Sequence, residues 1–350
     1  MSIACVSILG HFGEGKTLLN GQTVKTKILT EELCAQLGKE QVVRIDTHGG
    51  IRTLFKAPFQ VFRALKQSRN VMILPAQNGV RVYAPLLSLF RNLFRGRKLH
   101  YVVIGGWLPE FLKQRKRLAA VLKMFDKIYV ETQTMKRALE EQGFGNVIVM
   151  PNCKRLHILT EDELIYPTEK PYRLCTFSRV MKEKGIEDAV DVITQINTEL
   201  GYTIFTLDIY GQVDSGQNEW FAELEKQLPE YISYKGCVQA NESSAVLKDY
   251  FALLFPTRFY TEGIPGTIID AYAAGIPVLS ARWESYCDVV EEGITGIGYT
   301  FGTPEESVKI LRRVSEKTEI LVGMKPACLK KASEYQSDQV IRILIDQLQP

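Results

Sequence analysis

Phe255-Pro-Thr-Arg-Phe-Tyr-Thr-Glu262-Gly263-Ile264-Pro265-Gly266-Thr267-Ile-Ile-Asp270-Ala-Tyr-Ala-Ala-Gly275-Ile-Pro277-Val278 is the stretch that decides the fold. Apolar Leu253–Phe255 reads as a buried strand, and glycines and prolines open a loop after it. Ile268, Ile269 and Tyr272 then keep helical spacing, and Pro277–Ser280 resumes as a strand. Strand, glycine loop, helix, strand is one parallel crossover unit. Gly263 and Gly266 let backbone come close to a ligand, and the free amides of the next helix, with its dipole, favour phosphate there. Glu262 just before that helix and Asp270 in its early turns are hydroxyl acceptors, suited to a sugar and a ribose. The plain alternative is a helix-terminal charge and a surface aspartate.

The same alternation runs outward in both directions. Ile3–Leu9, Gln41–Asp46, Val71–Leu74, Tyr101–Gly105, Lys127–Val130 and Val147–Met150 read as strands before it. Arg173–Ser178, Phe205–Tyr210, Ile232–Lys235 and Thr295–Tyr299 join them in the second half. Helical periodicity is read at 24–37, 109–124 and 133–142. Twelve strands alternating with helices predict two doubly wound α/β sheets, with ligands beyond the carboxyl ends of the strands. Proline and acidic residues between Pro151 and Pro171 place the junction. The expected domains are 1–155 and 170–336, with a helix over about 337–350 packing back on the first; Ser337 and Asp338 are expected to cap it.

Composition narrows the function. The 350 residues are 45% hydrophobic and 24% charged, which excludes disorder and fibre. No run of about 18 apolar residues exists, and the N-terminus lacks a basic lead-in, so no membrane span and no secretory signal are expected. Seven scattered cysteines without a CxxC pair argue against a disulfide framework and structural zinc, and fit a reducing cytoplasm. Net charge is +3, but residues 1–150 hold 23 Lys+Arg against 10 Asp+Glu, while the remainder holds 20 against 30. Arg91, Arg95, Arg97 and Lys98, and then Lys113, Arg115, Lys116 and Arg117, interleave with apolar residues. Such stretches attract phosphate-rich surfaces, an anionic leaflet before nucleic acid, for which no motif is present. The plain alternative is a solvated helix face.

Two further motifs bear on phosphate. Gly10-His-Phe-Gly13-Glu-Gly15-Lys16-Thr17 matches GxxxxGK[ST] after a strand. A nucleoside triphosphatase loop needs a helix starting at Lys16 and Thr17, yet Asn20 and Gly21 interrupt and apolar periodicity begins near Val24. A glycine loop, Gly10 to Gly21, with Gly13, Gly15, Lys16 and Gly21 facing an acceptor or diphosphate, is the preferred reading. Ser178-Arg179-Val-Met-Lys-Glu-Lys184-Gly185 also follows a strand, and its two cations could grip a diphosphate, Arg179 as a fork and Lys184 as a point charge.

With these residues in view, the chain resembles retaining nucleotide-sugar glycosyltransferases of the GT-B fold, family four, of the bacterial polysaccharide-assembly type. The Glu262…Asp270 spacing is similar to that family's pair of glutamates, with Asp one methylene shorter in the second place. Arg179 and Lys184 look like its phosphate-binding pair, and Tyr210-Gly211, Lys235-Gly236-Cys237-Val238 and Val149-Met-Pro151-Asn152 stand in its order. The resemblance covers about residues 147–300; the first 146 match in layout alone. It implies two Rossmann-like domains facing across a cleft. It implies Arg179, Lys184 and Glu262 as catalytic, and Gly211, Cys237, Val238, Gly263, Ile264, Gly266, Thr267 and Asp270 as donor-binding. Transfer would go from a nucleoside-diphosphate sugar to a hydroxyl of a lipid-linked glycan, with retention, in surface polysaccharide biosynthesis. No cofactor and no metal are expected, since no DxD pair is found. The expected setting is cytoplasmic, peripheral at the inner face of the membrane. The histidine that many relatives place after a first-domain strand is not found, His48 and His100 lying outside that motif. A P-loop nucleoside triphosphatase and a nucleotide-sugar epimerase of the same architecture are the alternatives.

Overall fold

A computed structural model describes residues 3–13, 21–49, 55–239 and 241–348. The chain divides into two units, one made of Met1–Arg155 with Tyr335–Pro350 and the other of Leu156–Glu334.

The first unit runs β1 (Ala4–Gly10), α1 (Gly21–Leu37), β2 (Val42–Asp46), α2 (Ala57–Gln67), β3 (Ser68–Ile73), α3 (Gln77–Arg91) and β4 (Lys98–Val102). It continues with α4 (Leu108–Lys113), α5 (Lys116–Lys123), β5 (Lys127–Val130), α6 (Gln133–Glu141) and β6 (Val147–Val149). Its six strands are parallel in the order β2-β1-β3-β4-β5-β6. β1 is buried along its whole length, as a parallel strand covered on both faces must be.

The second unit runs β7 (Tyr172–Phe177), α7 (Ile186–Leu200), β8 (Phe205–Tyr210), α8 (Asn218–Lys226), β9 (Ile232–Gly236), α9 (Ser243–Leu247), β10 (Ala252–Phe255) and α10 (Gly266–Ala273). After these come β11 (Val278–Ala281), α11 (Tyr286–Val289), β12 (Gly296–Tyr299), α12 (Glu305–Glu316), α13 (Glu319–Val322) and α14 (Lys325–Ala332). Its order is β12-β11-β10-β7-β8-β9, again all parallel. From β7 the chain winds outward one way through β8 and β9; from β10 it winds the other way. The β7/β10 boundary is therefore the switch point, the place at the carboxyl edge where sheets of this kind bind ligands.

Each expected strand is present: β5 and β8 have the expected bounds, and the others are shifted at one or both ends. The last helix, α15 (Ser337–Ile345), belongs to the first unit. Val340, Ile341 and Leu344 are buried there with Leu29 and Leu33 of α1. Burying each such side chain contributes about 1.5–3 kcal/mol. Ser337 does not cap this helix as expected: its Oγ lies 3.0 Å from Glu32 Oε1, and the cap position falls on Gln336. A hydroxyl already committed to a carboxylate is not available to a backbone amide. The sequence reading also missed α2 and α3, and the helix read at 109–124 is two, broken at Gln114 and Arg115.

Candidate functional site

The site is built at the carboxyl edge of the second unit's sheet. Arg179 follows β7, Gly211 follows β8, Cys237 and Val238 follow β9, and Glu262 lies in the loop after β10. Parallel strands deliver all of these to one edge.

Two glycines let these loops close on one another. Gly185 has φ +71, and a Cβ there would stand 1.8 Å from the Pro256 carbonyl oxygen. Gly211 has φ +129, and its Cβ would stand 1.9 Å from the Ser178 carbonyl oxygen. Only glycine accommodates both the positive φ and the approach. Backbone bonds lace the same loops: Arg258 N–H donates to Glu183 O at 2.9 Å, Val180 N–H to Gln212 O at 2.9 Å, and Asp214 N–H to Val180 O at 3.0 Å. The guanidinium of Arg258 forks onto Asp188 of α7 at 2.8 and 2.6 Å, which fixes the loop after β10.

This lacing brings Lys184 to Glu262. Their side chains form an ion pair, each only 16% exposed, and Thr257 Oγ1 donates to the same carboxylate at 3.3 Å. The Lys184 ammonium also lies 5.6 Å from the Phe255 ring centroid and 5.2 Å from that of Phe259. Arg179 is half exposed and bonds Asp214 Oδ2 at 3.1 Å. Both cations are thus held by carboxylates, Lys184 by Glu262, which the sequence offered as a hydroxyl acceptor, and Arg179 by Asp214. Asp214 and Thr257 were missed; the signal for Asp214 was its place three residues beyond Gly211, after a strand.

α10 begins beside this group. Gly263, Ile264 and Thr267 are buried and Gly266 is its first residue. The Thr267 hydroxyl is buried in the first turn without a hydrogen-bond partner. Such an orphan hydroxyl is costly unless a ligand or water meets it. Asp270, in the second turn, is 5% exposed.

The first unit's carboxyl edge is organised differently. Lys25 of α1 donates to Glu131 Oε1 at 2.6 Å, both side chains almost wholly buried, and the Gly105 amide donates to the same oxygen at 3.2 Å. His48 Nδ1 and His11 Nε2 are 2.7 Å apart, and His11 Nδ1 lies 2.7 Å from Thr23 Oγ1. Burial first, and then the His48 ring, lower the His11 pKa. His100 sits in the core against Tyr129 and Asn70, pushed down to about 4 chiefly by burial. Gly13 lies between β1 and α1 with φ +61, and Gly21 is the first residue of α1. Gly15 and Lys16, and with them the helix start that a triphosphatase loop needs, lie outside the described residues.

Comparison with known proteins bears directly on the second unit, because residues 171–317 match the family described as Glycosyl transferases group 1. Most of the second unit is thus similar to a group 1 glycosyl transferase domain. The stretch that carries the Lys184–Glu262 pair falls inside the matched residues. The chain is 30% identical over 157 residues to the UDP-N-acetylglucosamine–peptide N-acetylglucosaminyltransferase GtfA subunit of Streptococcus gordonii, an alignment taking 44% of this chain and 29% of that protein. It is 22% identical over 185 residues to the amylovoran biosynthesis glycosyltransferase AmsK of Erwinia amylovora, covering 51% of this chain and 45% of that one. The chain thus spans less than half the length of these curated relatives. Among solved structures, Anabaena Alr3699/HepE in complex with UDP superposes with a TM-score of 0.74 at 16% identity, over 97% of this chain and 98% of that one. Sucrose-phosphate synthase from Thermosynechococcus elongatus gives 0.78 at 14% identity, over 97% of each chain. At these identities the likeness is one of fold, the GT-B fold of two α/β units.

Proposed function

We propose that the protein transfers a sugar from a nucleoside-diphosphate sugar to a hydroxyl of a glycan acceptor, with retention of anomeric configuration, in the assembly of a surface polysaccharide. One observation supports the reading: Lys184 and Glu262 pair just before α10, and Arg179 follows the neighbouring strand β7, at the switch point of the unit that resembles group 1 glycosyl transferases. The relatives' printed names, which include amylovoran biosynthesis, support the polysaccharide setting.

In this reading the diphosphate lies between Arg179 and Lys184, against the first amides of α10 and the Thr267 hydroxyl. Departure of the nucleoside diphosphate leaves an oxocarbenium-like sugar and builds negative charge on the leaving oxygens. Fixed positive groups lower that barrier, each typically by a factor of about 10² to 10³. Asp214 and Glu262 hold the two cations in place beforehand, so little reorganisation accompanies the step. Glu262 has a second task, accepting sugar hydroxyls, and Asp270 is the ribose contact. Gly211, Cys237, Val238, Gly263 and Ile264 border the nucleotide. The leaving phosphate takes the acceptor's proton on the same face, and this charge handling requires no metal. The acceptor is lipid-linked and met at the inner face of an anionic membrane. The glycine loop of Gly13, Gly15, Lys16 and Gly21 contributes to its binding.

A donor panel tests the reading. Purified protein is given several nucleotide sugars, with and without glycan acceptor, and nucleoside diphosphate release is measured. Acceptor-dependent release from one donor is expected. Conversion of the sugar without acceptor would select the epimerase instead, and hydrolysis of ATP alone would select the triphosphatase.

A further inference from the structure

Residues 47–109 contain ten lysines and arginines and not one aspartate or glutamate. α2 and α3 both lie inside this stretch, so their outer faces carry no carboxylate of their own. They do carry large apolar side chains. Phe59 and Leu93 are each 70% exposed and Leu89 is 63% exposed, beside exposed Phe55 and Phe62. These are not scattered. Phe62 of α2 meets Phe94 at 5.3 Å between ring centroids, joining the two helices into one patch. Along α3, Arg81, Pro85 and Leu89 follow one another at four-residue steps, which puts them on one stripe, and Leu93 lies in the turn just beyond the helix. A patch of this kind on a soluble surface marks an interaction site.

At its Arg81 end the stripe opens into a cavity of about 690 Å³. Five cations line it: Arg81, Lys113, Arg115, Lys116 and Arg117. Pro85, Leu118 and Val121 supply its apolar part. Lys113 is paired with Glu110, and Arg115 is fixed by a 2.8 Å bond to the Phe111 carbonyl and by stacking 3.8 Å from the Phe111 ring centroid. Arg81, Lys116 and Arg117 have no ion-pair partner among the described residues. Like charges gathered around one concavity repel unless an anion joins them.

We propose that this cavity is a headgroup site: it takes the phosphate of an anionic membrane lipid, while Leu89, Leu93, Phe59 and Phe62 enter the acyl boundary of the same leaflet. Charge and apolar surface are both needed by that occupant and are adjacent here. A solvated helix face needs cations but not exposed phenylalanines, and a soluble phosphate needs the cavity but not the stripe. The proposal rests on the reading that the enzyme works at an anionic leaflet, and it adds the place and the chemistry of the contact.

The test is sedimentation of the full chain with vesicles of phosphatidylcholine alone and of equal parts phosphatidylcholine and phosphatidylglycerol. Binding is expected to the mixed vesicles, and to weaken with salt. Arg81→Gln/Lys116→Gln/Arg117→Gln should lower it about 100-fold, roughly fivefold for each cation removed. A variant of equal net charge, Lys39→Gln/Arg69→Gln/Arg137→Gln, should lose far less, and Leu89→Ser/Leu93→Ser should also weaken binding. Nucleotide-sugar hydrolysis without vesicles should be unchanged in all of these variants. If the wild-type chain ignores anionic vesicles, the membrane reading falls and takes this proposal with it. If it binds them but both charge variants lose equally, the cavity is not the site and the membrane reading stands. Soluble glycerol phosphate binding to the cavity without vesicle binding would overturn the lipid assignment in favour of a free anion.

Discussion

The two sheet edges were built from the same plan and carry opposite kinds of charge arrangement. Both units have six parallel strands wound out from a switch point, β1/β3 in one and β7/β10 in the other. At the first edge the main ion pair, Lys25–Glu131, is almost wholly buried and has its second acceptor duty filled by the Gly105 amide. At the second edge Lys184 and Glu262 remain partly open, Arg179 is half exposed, and the Thr267 hydroxyl waits without a partner. A closed pair holds a fold together; an open pair beside an orphan donor has capacity left for a ligand. Strand order alone would not have told the edges apart.

The comparison can be broken most directly at the open edge. Arg179→Ala with Lys184→Ala should leave thermal unfolding of the protein nearly unchanged and lower glycosyl transfer by about 10⁴-fold or more, two groups at about 10² to 10³ each. Near-normal turnover would show that the diphosphate is gripped elsewhere. The closed edge should answer in the other currency. Lys25→Met strands the Glu131 carboxylate in the core, and loss of one partner of a buried pair costs about 3–5 kcal/mol. A large fall in the melting temperature is expected, with nucleotide binding retained in the cold; loss of binding with unchanged stability would reverse the roles of the two edges. Gly185→Ala sharpens the contrast with a smaller effect. At φ +71 the strain costs about 1–3 kcal/mol. The displaced loop should also cut turnover between about 10- and 100-fold. Unchanged kinetics would mean that the Gly185–Pro256 approach does not set the Lys184–Glu262 geometry.

How much of this could be read from sequence differs by element. The strands were legible because a buried parallel strand is a short apolar run with no competing pattern, as in Leu253–Phe255. α2 and α3 were not, although both keep an amphipathic period: exposed Phe59, Phe62 and Leu89 add apolar residues outside the buried stripe and blur its edge. Pro58 and Pro85 also read as breakers, yet the first lies in the opening turn of α2, where proline is tolerated. Pro85 lies inside α3 on its exposed side, where water can serve the freed carbonyl. At the site, Arg179, Lys184 and Glu262 were legible as residue types in a spacing. Their clamping by Asp214, Thr257 and each other was not, because it depends on two loops from distant strands meeting at Gly185 and Pro256. Ser337 gave a false cap signal, since its partner, Glu32, is 305 residues away in the chain.

The return of the chain at α15 has a consequence for biosynthesis. Leu156–Glu334 is one continuous segment and has every residue it needs as soon as that segment has left the ribosome. The earlier unit lacks Val340, Ile341 and Leu344 until the last helix is made, so the part translated first is the part completed last. Until α15 docks, Leu29 and Leu33 have no cover from it, and a released chain truncated before residue 337 would expose them to chaperones and proteases while its second unit keeps every residue it needs.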